Sequence, residues 1–314
     1  MITVAGEALM DIVVDASGSV TVLPGGAPFN VARTIGRLGG RCGFLGRLSD
    51  DAFGDHLRAA LEQAGVRIEV PEPTSTPTTL AIAQLNTTGS ADYRFYLQGT
   101  AAAQLQPSDV PPDVLARADV LALGGLGIMI EPTASTLLGL IRRTPPEATV
   151  LLDPNCRPRA IDDVSHYRAT VNAFLGRVNI AKVSVDDLEV LHPHVDRRHA
   201  ARALLAHGPA AVLVTDGPAP VIIHTLDTER SVEVPEVEIV DTIGAGDAFV
   251  AAFLTWWSNR SLKGSDLANA QALVEATAAA VQVAAAACTV RGANLPARFA
   301  WPADTQTTPI KLAL

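Results

Sequence analysis

Asp241-Thr242-Ile243-Gly244-Ala245-Gly246-Asp247 is the stretch from which the rest of the chain is best read. It follows a β-rich segment, Ser231 to Val240, and opens an apolar run from Ala248 to Trp257, which predicts a strand, a glycine-bearing turn and a helix in that order. A helix starting on such a turn offers free backbone N–H groups and its positive dipole end to an anion, and phosphate suits that place. Gly244 and Gly246 let the backbone approach a phosphoryl group closely, while the Asp247 carboxylate projects from the first turn toward the same point. Phosphoryl transfer to an alcohol needs donors for the developing charge and a base for the hydroxyl proton. Gly244, Ala245 and Gly246 offer the first and Asp247 the second. A bare Gly-Ala-Gly-Asp would read as readily as a flexible turn with Asp247 as helix cap, so the flanking residues matter.

Upstream, the apolar runs Ala118 to Leu123, Thr149 to Leu152, Val178 to Val183 and Ala211 to Thr215 alternate with stretches of helical period. That is the rhythm of parallel strands joined by crossover helices. The runs end in Gly124-Gly125, Asp153-Pro154-Asn155, Lys182-Val183-Ser184 and Thr215-Asp216-Gly217. Open parallel sheets bind ligands past the carboxyl ends of their strands, so these endings mark the face of the site. Residues 12–22 and 78–97 are β-rich with partial alternation, and Asn86-Thr87-Thr88-Gly89 sits as a hairpin connection would, which predicts a small separate sheet. Between them, Asn30 to Leu38 reads as a helix continuing from the turn Pro24-Gly25-Gly26-Ala27-Pro28. With no solenoid repeat and no long linker, one α/β domain over residues 1–314 is expected.

A chain of 314 residues, 48% hydrophobic and 18% charged, can fill a large core. Its net charge of −9 argues against a nucleic-acid or anionic-membrane binder, so any phosphate site has to be built locally. Three cysteines, Cys42, Cys156 and Cys288, lie far apart with no zinc spacing and read as thiols of a reducing cytosol. Glu7 and Asp11 stand where a signal peptide would be basic and then apolar, and the run Ala276 to Ala287 reads as a packed core helix, so a cytoplasmic protein is expected.

With Asp-Thr-x-Gly-Ala-Gly-Asp matched without departure, the chain resembles the ribokinase-like (PfkB) carbohydrate kinase family, on its fructokinase-like branch. Further matches are Gly25-Gly26 through Asn30 to Leu38-Gly39, and Gly6-Glu7-Ala8-Leu9-Met10-Asp11 at the opening strand, so the likeness runs in order over nearly the whole chain. It implies a three-layer fold with a mostly parallel central sheet and a small β-sheet lid near residues 12–22 and 78–97. It also implies MgATP-dependent phosphorylation of a small sugar, fructose or a related ketose first, 2-keto-3-deoxygluconate or ribose as alternatives, with Asp247 as the base. Asp11, Gly25, Gly26 and Asn30 would hold the sugar, as short polar groups and bare backbone suit adjacent hydroxyls. Arg94 is the lid residue implied to reach the substrate, and Arg157 in Asp153-Pro154-Asn155-Cys156-Arg157-Pro158 would face the acceptor or the phosphates.

On the nucleotide side the resemblance assigns Asn155, Lys182, Ser184, Thr215, Gly217, Thr242, Gly244 and Gly246. The family's magnesium-associated Asn-x-x-Glu falls on Ser184-Val185-Asp186-Asp187; Asp187, one methylene shorter than glutamate, points to contact with magnesium through water. Asp241 marks a candidate potassium site, beside the adenine-side loop near Ala287 to Ala293. Pro220 replaces the last glycine of a Thr-x-Gly-x-x-Gly element, removing a backbone donor. These departures keep a second class open, a sugar-binding regulatory homologue without turnover. A homodimer formed through the lid is the implied assembly.

Overall fold

The computed structural model describes residues 1–85, 91–297 and 299. The chain opens with β1 (Ile2–Ala5), leaves the body as β2 (Leu9–Val14) and β3 (Val20–Gly25), and returns through α1 (Ala27–Arg37), β4 (Cys42–Leu45), α2 (Ala52–Gln63) and β5 (Arg67–Ile68). A second excursion forms β6 (Leu80–Leu85) and β7 (Ala91–Tyr96). The α/β alternation then runs through α3 (Val114–Arg117), β8 (Val120–Gly124), α4 (Thr133–Arg142), β9 (Thr149–Asp153), α5 (Val164–Leu175) and β10 (Ile180–Ser184). It continues with α6 (Val185–Leu191), α7 (Arg197–Ala206), β11 (Ala211–Asp216), β12 (Ala219–His224) and β13 (Glu229–Val232), and closes with α8 (Ala245–Asn259) and α9 (Ala270–Ala287).

Among the described residues, nine strands form the large sheet in the order β13-β12-β11-β10-β9-β8-β1-β4-β5, parallel throughout except at β12 and β13. Its inner strands, β1, β4 and β8 to β10, are buried on both faces, which is why they read as unbroken apolar runs. Successive side chains go to opposite layers: Val120 and Ala122 pack with α1, α2, α8 and α9, whereas Leu121 and Leu123 pack with α4, α5, α6 and α7. The expected three layers are thus present. The helix α8 is apolar on every side because it is enclosed on every side, with Phe253 and Trp257 stacked at 5.8 Å. Its neighbour α9 presents the fully buried Leu273, Ala276 and Ala280, small side chains that allow close approach.

Four strands form the small sheet in the order β3-β2-β6-β7, with β2 and β6 parallel. It starts at Leu9, three residues ahead of the expected segment, because Leu9 and Ala81 pack on Leu126 and root the sheet in the body. The residues Asn86 to Gly89 lie outside the described ones. Two boundaries differ from the sequence reading. Helix α1 begins at Ala27 instead of Asn30, since Pro28 already has helical φ and sits where no N–H partner is needed. The strand expected to reach Val240 ends at Val232; residues 233–240 pair with no strand, Pro235 lacks a ladder donor, and Ile239 and Val240 are exposed.

Helix α1 carries site residues and is held against the end of α2 by Gly36, where a Cβ would lie 2.1 Å from the carbonyl oxygen of Ala64. Gly36→Ala is expected to cost roughly 1–3 kcal/mol in urea unfolding. Gly139→Ala, in open space within α4, should instead stabilise by roughly 0.5–1 kcal/mol. Equal shifts from the two would contradict this packing.

Candidate active site

Between the two sheets, past the carboxyl ends of β8, β9, β10 and β11, lies a cleft of about 730 Å3, within the roughly 300–1,000 Å3 usual for ligand pockets. Asp11, Gly26, Asn30, Asn155, Arg157, Lys182, Ser184, Asp187, Thr215, Thr242, Gly244, Gly246 and Asp247 all line it. The structure therefore brings together residues spread over most of the chain.

The Asp241 to Asp247 stretch is fastened as a loop and not as a strand end. Val240 and Asp241 N–H groups both donate to the Cys288 carbonyl, and the Asp241 carboxylate accepts from the amides of Ile243 and Gly292 at 3.0 and 2.8 Å. Asp241 is itself outside the cleft lining and braces the loop against the turn after α9. Gly244 caps α8 with φ 78°, and a Cβ there would lie 2.5 Å from the Ala293 Cβ, so both backbone and space demand glycine. The Ala245 amide donates to the Thr242 carbonyl at 3.2 Å, which leaves Gly244 and Gly246, and not Ala245, on the cleft wall.

Asp247 sits at the third helical position of α8, buried, and its Oδ2 accepts from Asn30 Nδ2 at 2.9 Å. Burial raises its carboxyl to about 6, against the Asn30 hydrogen bond that lowers it. A base with that value is ionised at neutral pH yet still able to take a proton. Asn30 thus orients the carboxylate with its amide, while its Oδ1 is buried and has no donor among the described residues.

Across the cleft, burial also raises Asp11 on β2 to about 6, with the Arg157 cation opposing the shift. Gly25 stands behind Asp11, outside the cleft lining; a Cβ there would lie 1.9 Å from Asp11 Oδ2. Gly26 has φ 102° and leaves its face open to the cleft. Arg94 is a correction. Strand alternation turns Tyr93 and Phe95 into the cleft, so Arg94 points to the outer, solvent-facing side of the small sheet.

On the nucleotide side, the Lys182 ammonium lies 3.0 Å from Asp153 Oδ2 and 3.2 Å from where a Gly246 Cβ would be. Burial works to lower its pKa, but the carboxylates of Asp153, Asp187 and Asp247 outweigh burial and raise it. Lys182 is therefore a fixed cation beside the start of α8. Asn155 holds a left-handed φ of 45°, and its carbonyl and side-chain oxygens accept from Arg157. Asparagine tolerates this conformation better than most residues.

Ser184 and Asp187 form a reciprocal cap on α6. The Ser184 hydroxyl accepts from the Asp187 amide, and Asp187 Oδ2 accepts from Ser184 N and Oγ, both at 2.7 Å. Asp187 Oδ1 accepts from the Cys156 amide at 2.6 Å. With both oxygens engaged, Asp187 suits water-bridged contact with a cation. Among the described residues no cluster of three or more acidic, His or Cys side chains is placed to hold a metal; the exposed carboxylate of Asp186 and the unpartnered Asp153 Oδ1 are the groups left over. That set fits magnesium carried in on a nucleotide, which needs only one or two carboxylates besides phosphate and water. Thr215 lines the cleft, whereas Gly217, φ 53°, lies in the tight turn joining β11 and β12, outside it. Pro220 falls where the β11/β12 register shifts, so its missing N–H interrupts no regular pair.

Sequence reasoning passed over Glu7, Asp153, Tyr93 and Phe95. The two aromatics were detectable from the period of two in Tyr93-Arg94-Phe95-Tyr96, and Asp153 from its place at the end of a buried strand. Glu7 gave no signal, as nothing local shows that its carboxyl is buried and raised to about 7 by that burial.

The comparisons with known proteins agree with this arrangement. The model of the pfkB family carbohydrate kinases matches residues 1–299. A fructokinase of Klebsiella pneumoniae is 33% identical over 301 residues, 93% of this chain and 94% of that one. Two solved structures have the same fold: a fructokinase of Xylella fastidiosa with bound ATP (TM-score 0.87, 27% identity, 93% of each chain). The other is a double mutant of the fructokinase of Vibrio cholerae O395 with fructose, ADP and potassium ion (TM-score 0.78, 25% identity, 93% of each chain). With the family model covering nearly all of the chain, the protein belongs to the pfkB family of carbohydrate kinases and is an ATP-dependent sugar kinase.

Proposed function

We propose that the chain transfers the γ-phosphoryl group of MgATP to a primary hydroxyl of fructose or a closely related ketose. The observation that carries this reading is Asp247, buried at the first turn of α8, held by Asn30 and facing the same cleft as Asp11 and Gly26. The hydroxyl oxygen bonds to the γ-phosphorus, the bond from that phosphorus to the bridging oxygen of ADP breaks, and the hydroxyl proton passes to Asp247. The helix start at Gly244 to Gly246 and the Lys182 ammonium face the transferred group, where fixed charge acts without reorganising. Bound with the nucleotide, magnesium supplies further charge neutralisation on the phosphates. Tyr93 and Phe95 on the small sheet cover the sugar and keep water from competing as acceptor.

A neutral ketose is favoured over an acidic sugar. Arg94 points away, Lys182 is tied to Asp153 beside the start of α8, and the Arg157 cation acts on Asp11, whose carboxylate shares the sugar side with Glu7. A substrate carboxylate would meet like charge there. The departures at Ser184 and Asp187, which favoured a homologue without turnover, form a helix cap, and the catalytic loop is intact.

Three further elements belong to the same proposal. Potassium acts beside Asp241, whose carboxylate joins the loop before α8 to the turn after α9. A homodimer forms through the outer face of the small sheet, where Val20, Val22 and Tyr96 are exposed. The protein works in the cytoplasm, where the unpaired thiols of Cys42, Cys156 and Cys288 stay reduced.

Asp247→Asn is expected to lower kcat by roughly 100-fold or more while the dissociation constant for sugar stays near that of the parent protein. Turnover above half the parent value would remove the base assignment. Because burial raises both Asp11 and Asp247 to about 6, and both act ionised, kcat/KM should fall as pH drops through about 6, approaching a two-proton slope. Asp11→Asn should reduce that slope to one proton; an acid limb unchanged by it would separate Asp11 from sugar binding.

A further inference from the structure

The segment Gly6 to Ala8 carries the chain from β1 in the large sheet to β2 in the small one, and Gly26 carries it back from β3 into α1. The Glu7 side chain lies at this double crossing, 2% exposed. Its Oε1 accepts from the Ala27 amide at 3.3 Å, and its Oε2 accepts from the Gly127 amide, in the turn after β8, at 2.9 Å. The three segments meet with no space for side chains. A Cβ on Gly26 would lie 2.8 Å from the Glu7 carbonyl oxygen, and one on Gly125 would lie 2.4 Å from Glu7 Oε1. A Cβ on Gly127 would lie 2.9 Å from Gly6 Cα. Glutamate is rarely so buried without a cation, and here two backbone donors hold it.

We propose that Glu7 is a positioning residue of the sugar subsite, whose carboxylate locks the Gly26-Ala27 turn and the Gly125–Gly127 turn on either side of the β1–β2 crossing. The two turns then meet the sugar as one rigid wall, and the small sheet closes over it from a fixed pivot. Glu7 touches no phosphate and carries no proton in the reaction. Its effect falls on sugar affinity and on the exclusion of water, and leaves nucleotide binding alone. This inference rests on the sugar-phosphorylation reading above.

Two variants test it. Glu7→Gln keeps the shape and one acceptor oxygen but sets an NH2 group against the second donor, and Glu7→Ala removes both acceptors. KM for fructose should rise in the order parent, Glu7→Gln, Glu7→Ala, reaching roughly tenfold or more in the alanine variant, while KM for ATP stays within about twofold. ADP release in the absence of sugar should rise in the same order. Hydrogen exchange at the Ala27 and Gly127 amides of the ligand-free protein should speed up in both variants, a readout independent of catalysis. If Glu7→Ala proves too unstable to purify, Glu7→Gln alone decides. Unchanged exchange at those amides, or faster exchange with an unchanged fructose KM, overturns the proposal. A parent protein that phosphorylates no sugar overturns the functional reading instead, and the subsite assignment with it, while the exchange result still reports whether Glu7 holds the two turns.

Discussion

The buried hydrogen bond from Asn30 to Asp247 joins residues 217 positions apart and ties the first long helix of the chain to the helix that carries Asp247. It spans 2.9 Å between two buried side chains, so its loss would leave the Asp247 carboxylate without that donor. Much of the fold serves to make this contact. Helix α1 can reach Asp247 because Gly26 and Pro28 start it directly at the cleft, and α8 starts there because Gly244 takes a left-handed turn against Ala293. The same bond leaves Asn30 Oδ1 buried without a donor among the described residues.

An acidic protein has to make its anion site from local parts, and here those parts are sparse. Lys182 keeps its charge while fully enclosed because Asp153, Asp187 and Asp247 surround it, and Asp153 fixes where its ammonium stands. Asp187, in turn, is spent on a helix cap and on the Cys156 amide, which fastens the loop carrying Asn155 and Arg157. The site is therefore a nested set of carboxylates, several of which position other groups. The arrangement has the hallmark of preorganisation, since charges are set before substrate arrives.

The large sheet was legible because its inner strands are buried on both faces: the runs at Thr149 to Leu152 and Ala211 to Thr215 lie within a residue of the observed strands. The Gly-Ala-Gly-Asp helix start was legible because left-handed backbone and close approach restrict the residues allowed. What escaped depends on distant contacts. Residues 233–240 have strand-like composition but no partner, and composition does not report partners. Arg94, expected to reach the substrate from the lid, lies on the outer face because the period of two in its strand turns Tyr93 and Phe95 into the cleft. Glu7 looks like an ordinary acidic residue after a glycine, and only the return of the chain at Ala27 and Gly127 shows it to be enclosed.

The most direct measurement is ADP release from MgATP by the purified protein across fructose, tagatose, ribose, 2-keto-3-deoxygluconate and adenosine, with and without potassium. The account predicts rapid turnover with fructose or tagatose, little with the acidic sugar or the nucleoside, and a higher rate when potassium is present. Preferred turnover of 2-keto-3-deoxygluconate or adenosine would contradict the assignment of a neutral ketose, and silence with every sugar would contradict the kinase itself.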